Sequence, residues 1–138
     1  MTTMEINSTK LVFDKEKTHK YQIKNCHPCD CQGCENYYKN IEQNHKLIEF
    51  LSVFGIDCFL PEEVVCFSLN NKRNSLIHYE ANYGVDGQMD IDEFGFDDFD
   101  VKLTFKKGVN LSQEKTDNYF WIVIEKDFPY ILKDKRDI

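Results

Sequence analysis

The stretch CHPCDCQGC, residues 26 to 34, contains four of the six cysteines of the chain. These are Cys26, Cys29, Cys31 and Cys34, in the pattern C-x2-C-x-C-x2-C. The proline and the glycine inside the stretch predict a tight loop without regular structure. A long helical pattern begins directly after it. We therefore predict a Cys-rich loop at 26–34 that joins this helix to the elements before it.

The cysteine spacing predicts a metal site. Each C-x2-C turn allows two sulfurs to converge on one ion, and thiolates are the ligands that zinc and iron–sulfur centres select. We predict zinc, bound by Cys26, Cys29, Cys31 and Cys34. A zinc ion with four protein ligands is structural, whereas a catalytic zinc keeps one position open for water. The four cysteines therefore favour a structural role.

Other arrangements of the same cysteines stay open. Three sulfurs could bind the ion while a distant residue completes the site, or the thiols could form a reversible disulfide or share no role. The candidates for a distant ligand are His27, His45, Cys58, Cys66 and His78. Of these, Cys58 and Cys66 lie among apolar residues and are predicted to be small buried side chains. His45 lies on the apolar side of the helical pattern and is predicted to be a hydrogen-bonded core histidine.

One long helix is predicted over about residues 35–54. Tyr37, Ile41 and Ile48 belong to an apolar series that recurs at intervals of three and four, which gives a wide buried face. Gly55 follows the last apolar residue, where a left-handed helix cap is typical. A helix of this kind is expected to cover one face of a sheet.

Six segments on both sides of the helix predict the strands of that sheet, most of them by alternation of apolar and polar residues. They are residues 10–13, 20–24, 64–69, 77–83, 101–106 and 119–124. The first two, with charged residues 14–17 between them, predict an N-terminal hairpin. The segment 119–124 is apolar on both faces, which indicates a central strand. Turns are expected at 70–74 and 108–117, and the acidic stretch 84–100 is expected to be a loop. The fold class is therefore α+β, a mostly antiparallel sheet of about five to six strands packed against one main helix.

Length and charge restrict the function. A chain of 138 residues with 41% apolar residues can bury one core, so we predict a single domain over residues 1–138. The net charge of −7 argues against nucleic-acid binding and favours a basic protein partner. The N-terminus lacks a signal-peptide pattern, and no stretch is apolar enough to span a membrane, which predicts a cytoplasmic protein. Thiols stay reduced there, which favours a metal over disulfides.

Several further segments carry a family resemblance. They are Asn36-Tyr37, the helix end from Phe50-Leu51 to Gly55-Ile56-Asp57, Pro61 to Val64, and Glu125 to Leu132. With the cysteine pattern, they make the chain resemble a family of small, uncharacterised bacterial proteins that share C-x2-C-x-C-x2-C, N-[YF], F-L-x-x-x-G-I-D, P-x-E-V and E-x-x-x-P-[WY]-x-L. The resemblance covers residues 26 to 132. It implies that the cysteine cluster belongs to the fold, and it carries no activity.

These observations lead to two functional hypotheses. No nucleophile elbow, zinc-protease, phosphate-loop or dinucleotide motif is present, so no catalytic residue is assigned. The first hypothesis is a non-enzymatic protein-interaction module with a structural zinc site, such as an inhibitor or an immunity-like binder of a basic target. The alternative is a thiol redox enzyme or a metal-responsive sensor that uses the same cysteines.

Overall fold

The computed structural model describes residues 1–68, 76–108 and 118–133. Within this part the chain forms three helices and seven strands. The helices are α1 (Lys15–Asn25), α2 (Gln32–Ile41) and α3 (His45–Ser52). The strands are β1 (Thr2–Ile6), β2 (Thr9–Phe13), β3 (Glu63–Ser68), β4 (Leu76–Met89), β5 (Glu93–Asp98), β6 (Val101–Lys107) and β7 (Tyr119–Pro129). The turn predicted at 70–74 and nearly all of the one predicted at 108–117 lie outside the described residues.

The strands form an antiparallel sheet in the order β1-β2-β4-β7-β6-β5, with β3 also paired to β4. β4 pairs with β7 over residues 76–86, while its other edge pairs with β3 at residues 77–82 and with β2 at residues 87–89. The predicted α+β class is confirmed, and so is the central position of residues 119–124, because β7 lies between β4 and β6. The predicted numbers were too low: we expected about five to six strands and one main helix, whereas residues 1–68, 76–108 and 118–133 contain seven strands and three helices.

Two of the strands, β1 and β5, were not predicted, and β5 comes from the acidic segment 84–100, which is not a loop. It contains the end of β4 and all of β5, an edge strand. Phe94 and Phe96 of β5 stack on Phe105 of β6, with ring centroids 4.8 Å and 6.0 Å away. This packing holds β5 in the sheet although Asp and Gly, which are frequent in this segment, disfavour strands.

The predicted helix 35–54 is interrupted between Ile41 and His45. The interruption is centred on Asn44, whose side-chain oxygen caps α3 by accepting from the Leu47 N–H at 3.2 Å. The Asn44 side-chain amide also donates to the Phe99 carbonyl at 2.7 Å. Because these bonds hold Asn44 out of a helical conformation, one apolar pattern becomes two helices that share the same buried face.

The N-terminal hairpin is formed by β1 and β2, and the prediction of a strand at 20–24 is wrong. Asn7 and Ser8, both with positive φ (50° and 64°), make the two-residue turn. Residues 15–25 form α1, whose first turn is capped by the Asp14 carboxylate accepting from the Lys17 N–H at 2.9 Å.

α1 fills a gap at the edge of β4, between the segments paired with β3 and with β2. The Asp14 N–H donates to the Asp86 carbonyl at 2.8 Å. The fully buried Thr18 hydroxyl accepts from the Asp86 N–H at 3.0 Å and donates to the Asp14 carbonyl at 2.8 Å. The N–H and the carbonyl of Asp86 are therefore both hydrogen-bonded to α1 or its cap, at the part of the β4 edge that no strand covers.

We expect Thr18→Val to lower the free energy of unfolding by about 1–3 kcal/mol, because it leaves the partly buried Asp86 N–H without its hydrogen-bond partner. Thr18→Ser is the matched control, since it keeps the hydroxyl and loses only a methyl group. Urea unfolding of both variants measures the difference. If serine costs as much as valine, packing of the methyl group and not the hydrogen bond holds α1 at this edge.

The main core lies between the sheet and the pair α2–α3. β4 places every second residue of Ile77–Val85 on this face, and Phe120, Ile122 and Ile124 of β7 lie beside them. Leu47, Leu51 and Phe54 cover them from the helical side and are fully buried. Burying each such side chain contributes about 1.5–3 kcal/mol. None of the helices in the described ranges is both long and apolar enough to cross a membrane.

Candidate metal centre

Three cysteines meet at the N-terminal end of α2. The sulfurs of Cys29, Cys31 and Cys34 all lie within 4.8 Å of one another, close enough to bind a metal ion. Cys31 is the N-cap of α2, and its sulfur accepts from the Cys34 N–H at 3.4 Å. The Cys29 sulfur accepts from the Cys31 N–H, also at 3.4 Å. Cys29 and Cys31 are exposed and Cys34 is buried, so the cluster lies at the surface.

The first turn of α2, which carries Cys34, is anchored to the sheet. The Tyr79 hydroxyl of β4 donates to the Gly33 carbonyl at 2.9 Å. The fully buried Asn36 side chain donates to the Pro129 carbonyl at 3.1 Å and accepts from the Ile131 N–H at 2.8 Å. These bonds hold the helix start against β4 and the end of β7.

The environments of the thiols differ. Burial raises the pKa of Cys31, but hydrogen bonds from the Cys34 backbone and from the neighbouring thiols outweigh it and lower the pKa below that of an ordinary thiol. Burial, followed by the hydrogen bonds with Cys31 and Cys29, raises the pKa of Cys34 well above its usual range. The Cys31 thiol therefore loses its proton more readily than an ordinary thiol does. The Cys34 thiol loses its proton less readily and needs a bound cation to do so, because a thiol that coordinates a metal is deprotonated.

Cys26 lies apart from this cluster. It directly follows α1 as its C-cap, and its thiol donates to the Glu62 carboxylate at 3.3 Å. The Tyr21 hydroxyl donates to the same carboxylate at 3.0 Å. The structure thus brings together three of the four residues proposed from the sequence. The separation follows from α1: a helix that runs to Asn25 leaves Cys26 at its end, beside Tyr21, instead of in the loop.

We expect Cys26 to make the metal-free chain sensitive to alkali. Burial, and next the Glu62 carboxylate, raises the pKa of this thiol from 9.0 to about 12. The thiol then stays protonated in the folded chain and ionises in the unfolded one, so its contribution to stability is complete below pH 9 and is lost as the pH rises towards 12. Above pH 9 the unfolding free energy of the wild type should therefore fall as the pH rises. In Cys26→Ser this fall should be smaller, by up to about 1.4 kcal/mol per pH unit.

The measurement is urea unfolding of both chains between pH 8 and about pH 10.5, with a chelator and a reducing agent present. Serine keeps a hydroxyl donor for Glu62 and does not ionise in this range. Identical pH slopes for the two chains would show that Cys26 does not titrate differently in the folded state.

The distant ligand candidates lie at different places. His27 is exposed and outside the group of three sulfurs. His45, the first residue of α3, is exposed, so the prediction of a core histidine is wrong. Cys58 is buried as predicted, at 2% exposure. Cys66 of β3 is half-buried and lies against Gly33, inside the cysteine stretch.

A second group of potential ligands lies on the sheet face opposite α2 and α3. Ligand atoms of His78, Glu80 and Glu125 all lie within 4.8 Å of one another, and the His78 Nδ1 is 2.7 Å from the Asp127 carboxylate. Sequence reasoning missed this group because it requires the register of β4 against β7, where Glu80 and Glu125 are direct partners. All three side chains are half-exposed.

Comparisons of the chain with protein-family models, with curated proteins and with solved structures find no match. The fold and the site define the class on their own: an α+β protein in which a surface cluster of three cysteines, at the start of α2, can bind a metal ion. The resemblance to a family of small bacterial proteins stays a prediction.

Proposed function

We propose that the protein binds one zinc ion through Cys29, Cys31 and Cys34, and that the ion stabilises the fold and catalyses no reaction. The observation that supports this proposal is the convergence of the three sulfurs within 4.8 Å. A disulfide needs only two sulfurs, whereas a metal ion needs several ligands close to one point. Three sulfurs are close together here. Sulfur ligands favour zinc over magnesium or calcium, which prefer oxygen.

Thermal unfolding of the reduced chain tests this proposal. Zinc at about 100 times its dissociation constant should add about 2.7 kcal/mol to the unfolding free energy. For a chain of this size that corresponds to a rise in Tm of about 5–10 °C. Magnesium is the control ion and should change nothing, and a chelator should reverse the effect of zinc. A Tm that does not respond to zinc would contradict the proposal.

We further propose that the chain acts as a protein-interaction module in the bacterial cytoplasm, as an inhibitor or immunity-like binder of a basic protein. The net charge of −7 supports this partner class. So does the edge strand β5, on which Glu93, Asp97 and Asp98 are exposed. Association with such a partner should slow steeply as the salt concentration rises, because attraction between opposite charges speeds the encounter.

A thiol redox enzyme or metal-responsive sensor is the second candidate, and one observation favours it. Cys31 is exposed, caps a helix and has a lowered pKa, while Cys34, three residues later, is buried with a raised pKa. This pair has the asymmetry of an attacking and a resolving thiol. A redox role requires a reversible disulfide with a potential of about −220 to −320 mV, near the cytosolic value. A zinc-bound chain should instead resist oxidation in that range.

A further inference from the structure

We infer that Cys66 of β3 is the fourth ligand of the proposed metal site, so that the bound ion is enclosed by four sulfurs. This inference rests on the proposed function and extends it. With Cys29, Cys31 and Cys34 alone, all ligands come from six consecutive residues. A ligand from β3 would let the ion connect the start of α2 to the sheet.

Cys66 lies close to the cysteine stretch in the fold. In the sheet Cys66 pairs with Tyr79, whose hydroxyl donates to the Gly33 carbonyl at 2.9 Å. A Cβ atom built on Gly33 would lie 2.8 Å from the Cys66 sulfur. The sulfur is therefore packed against the backbone between Cys31 and Cys34, and a side chain at position 33 would displace it from this position.

Closing the proposed site requires the sulfurs to move. The Cys66 sulfur is outside the group whose atoms lie within 4.8 Å of one another. In a tetrahedral zinc site with bonds of about 2.3 Å, sulfurs are about 3.8 Å apart. Cys66 has a single side-chain torsion, and Cys29 and Cys31 are exposed, so the proposed closure combines rotation of the Cys66 side chain with a shift of the exposed loop.

The other candidates are less suited. Cys26 donates its thiol to Glu62 at 3.3 Å, so it would have to break this bond. His78 belongs to the separate group on the opposite sheet face. A fourth sulfur at Cys66 would also exclude water from the ion, which agrees with a structural and not a catalytic zinc.

X-ray absorption of the zinc-loaded full chain counts the ligands directly. We expect four sulfurs at about 2.3 Å in the wild type and three sulfurs with one oxygen or nitrogen in Cys66→Ser. Cys26→Ser is the matched control and should keep four sulfurs. Zinc affinity, measured by competition with a chelator, should fall by at least about tenfold in Cys66→Ser, the lower limit for loss of even an outer-shell partner.

A second variant tests the inference without removing a thiol. Gly33→Ala places a methyl group against the Cys66 sulfur. In the metal-free chain the thiol can rotate away, but a metal-bound sulfur cannot, so zinc affinity should fall while metal-free stability is kept. In a Cys66→Ser background the same change should have little further effect, because the two residues act through one contact.

The outcomes separate this inference from the proposed function. A wild-type chain that binds zinc with only three sulfurs, or a Cys66→Ser chain that keeps four, would overturn the role of Cys66 and leave the three-cysteine site intact. Equal losses of affinity for Gly33→Ala with and without Cys66 would also overturn it. A wild-type chain that binds no zinc would overturn the proposed function and this inference together.

Discussion

Tyr83→Phe should lower the free energy of unfolding by about 2–5 kcal/mol, although it removes one oxygen atom and leaves no large cavity. The Tyr83 hydroxyl donates to the Cys58 carbonyl at 2.6 Å and lies 2.7 Å from the Tyr37 hydroxyl. Because the Tyr83 proton goes to Cys58, Tyr37 must donate to Tyr83. The variant therefore leaves a carbonyl and a hydroxyl without partners, and each buried unpaired group costs about 1–3 kcal/mol.

Tyr37→Phe is the matched control, with the same chemistry at the other end of the chain of hydrogen bonds. Both tyrosines are fully buried. In this variant Tyr83 still donates to Cys58, so only one acceptor position is left empty and the expected loss is about 1 kcal/mol. Urea unfolding measures both. Equal losses would mean that the direction of the hydrogen bonds, or the link to Cys58, has been assigned wrongly.

Cys31→Ser should weaken zinc binding by about 100-fold or more while the metal-free chain stays as stable as the wild type. A ligand should matter at least as much as the outer-shell partners of metal sites, whose loss costs roughly 10–100-fold. Stability without metal should not fall, because Cys31 is the N-cap of α2 and serine is among the best N-cap residues. One substitution therefore separates metal binding from helix capping.

Cys31→Ala completes this experiment, since it removes both the ligand and the cap. It should cost about 1 kcal/mol without metal, where serine costs nothing. Thermal unfolding with zinc and with a chelator, together with a zinc titration, measures these differences. A serine variant that binds zinc as tightly as the wild type would exclude Cys31 as a ligand.

Local patterns in the sequence predicted those strands whose apolar residues mark the buried faces. β6 alternates, and β7 is apolar on both faces and lies between β4 and β6, the central position that its sequence indicates. Two elements could not be predicted locally. In α1, the Thr18 hydroxyl accepts from the Asp86 N–H at the unpaired edge of β4. The break between α2 and α3 lies at Asn44, whose side-chain amide donates to the carbonyl of Phe99, a residue distant in sequence. Both depend on tertiary contacts that no short pattern contains.

Part of the candidate site could likewise be predicted from the sequence, and part of it depends on tertiary contacts. Cys29, Cys31 and Cys34 are so close in sequence that any loop leading into a helix brings them near each other. The displacement of Cys26 depends on where α1 ends, and the approach of Cys66 depends on the pairing of β3 with β4. The spacing of the cysteines therefore predicts a cluster, whereas its membership follows from the fold.

The central claim is that one zinc ion is held by the cysteines at the start of α2. Elemental analysis of the chain purified under reducing conditions, with a count of free thiols before and after addition of a chelator, tests it most directly. The account predicts about one zinc per chain, and thiols at the cluster that react only after the chelator has removed the metal. A chain without zinc whose exposed thiols react freely from the start would contradict it.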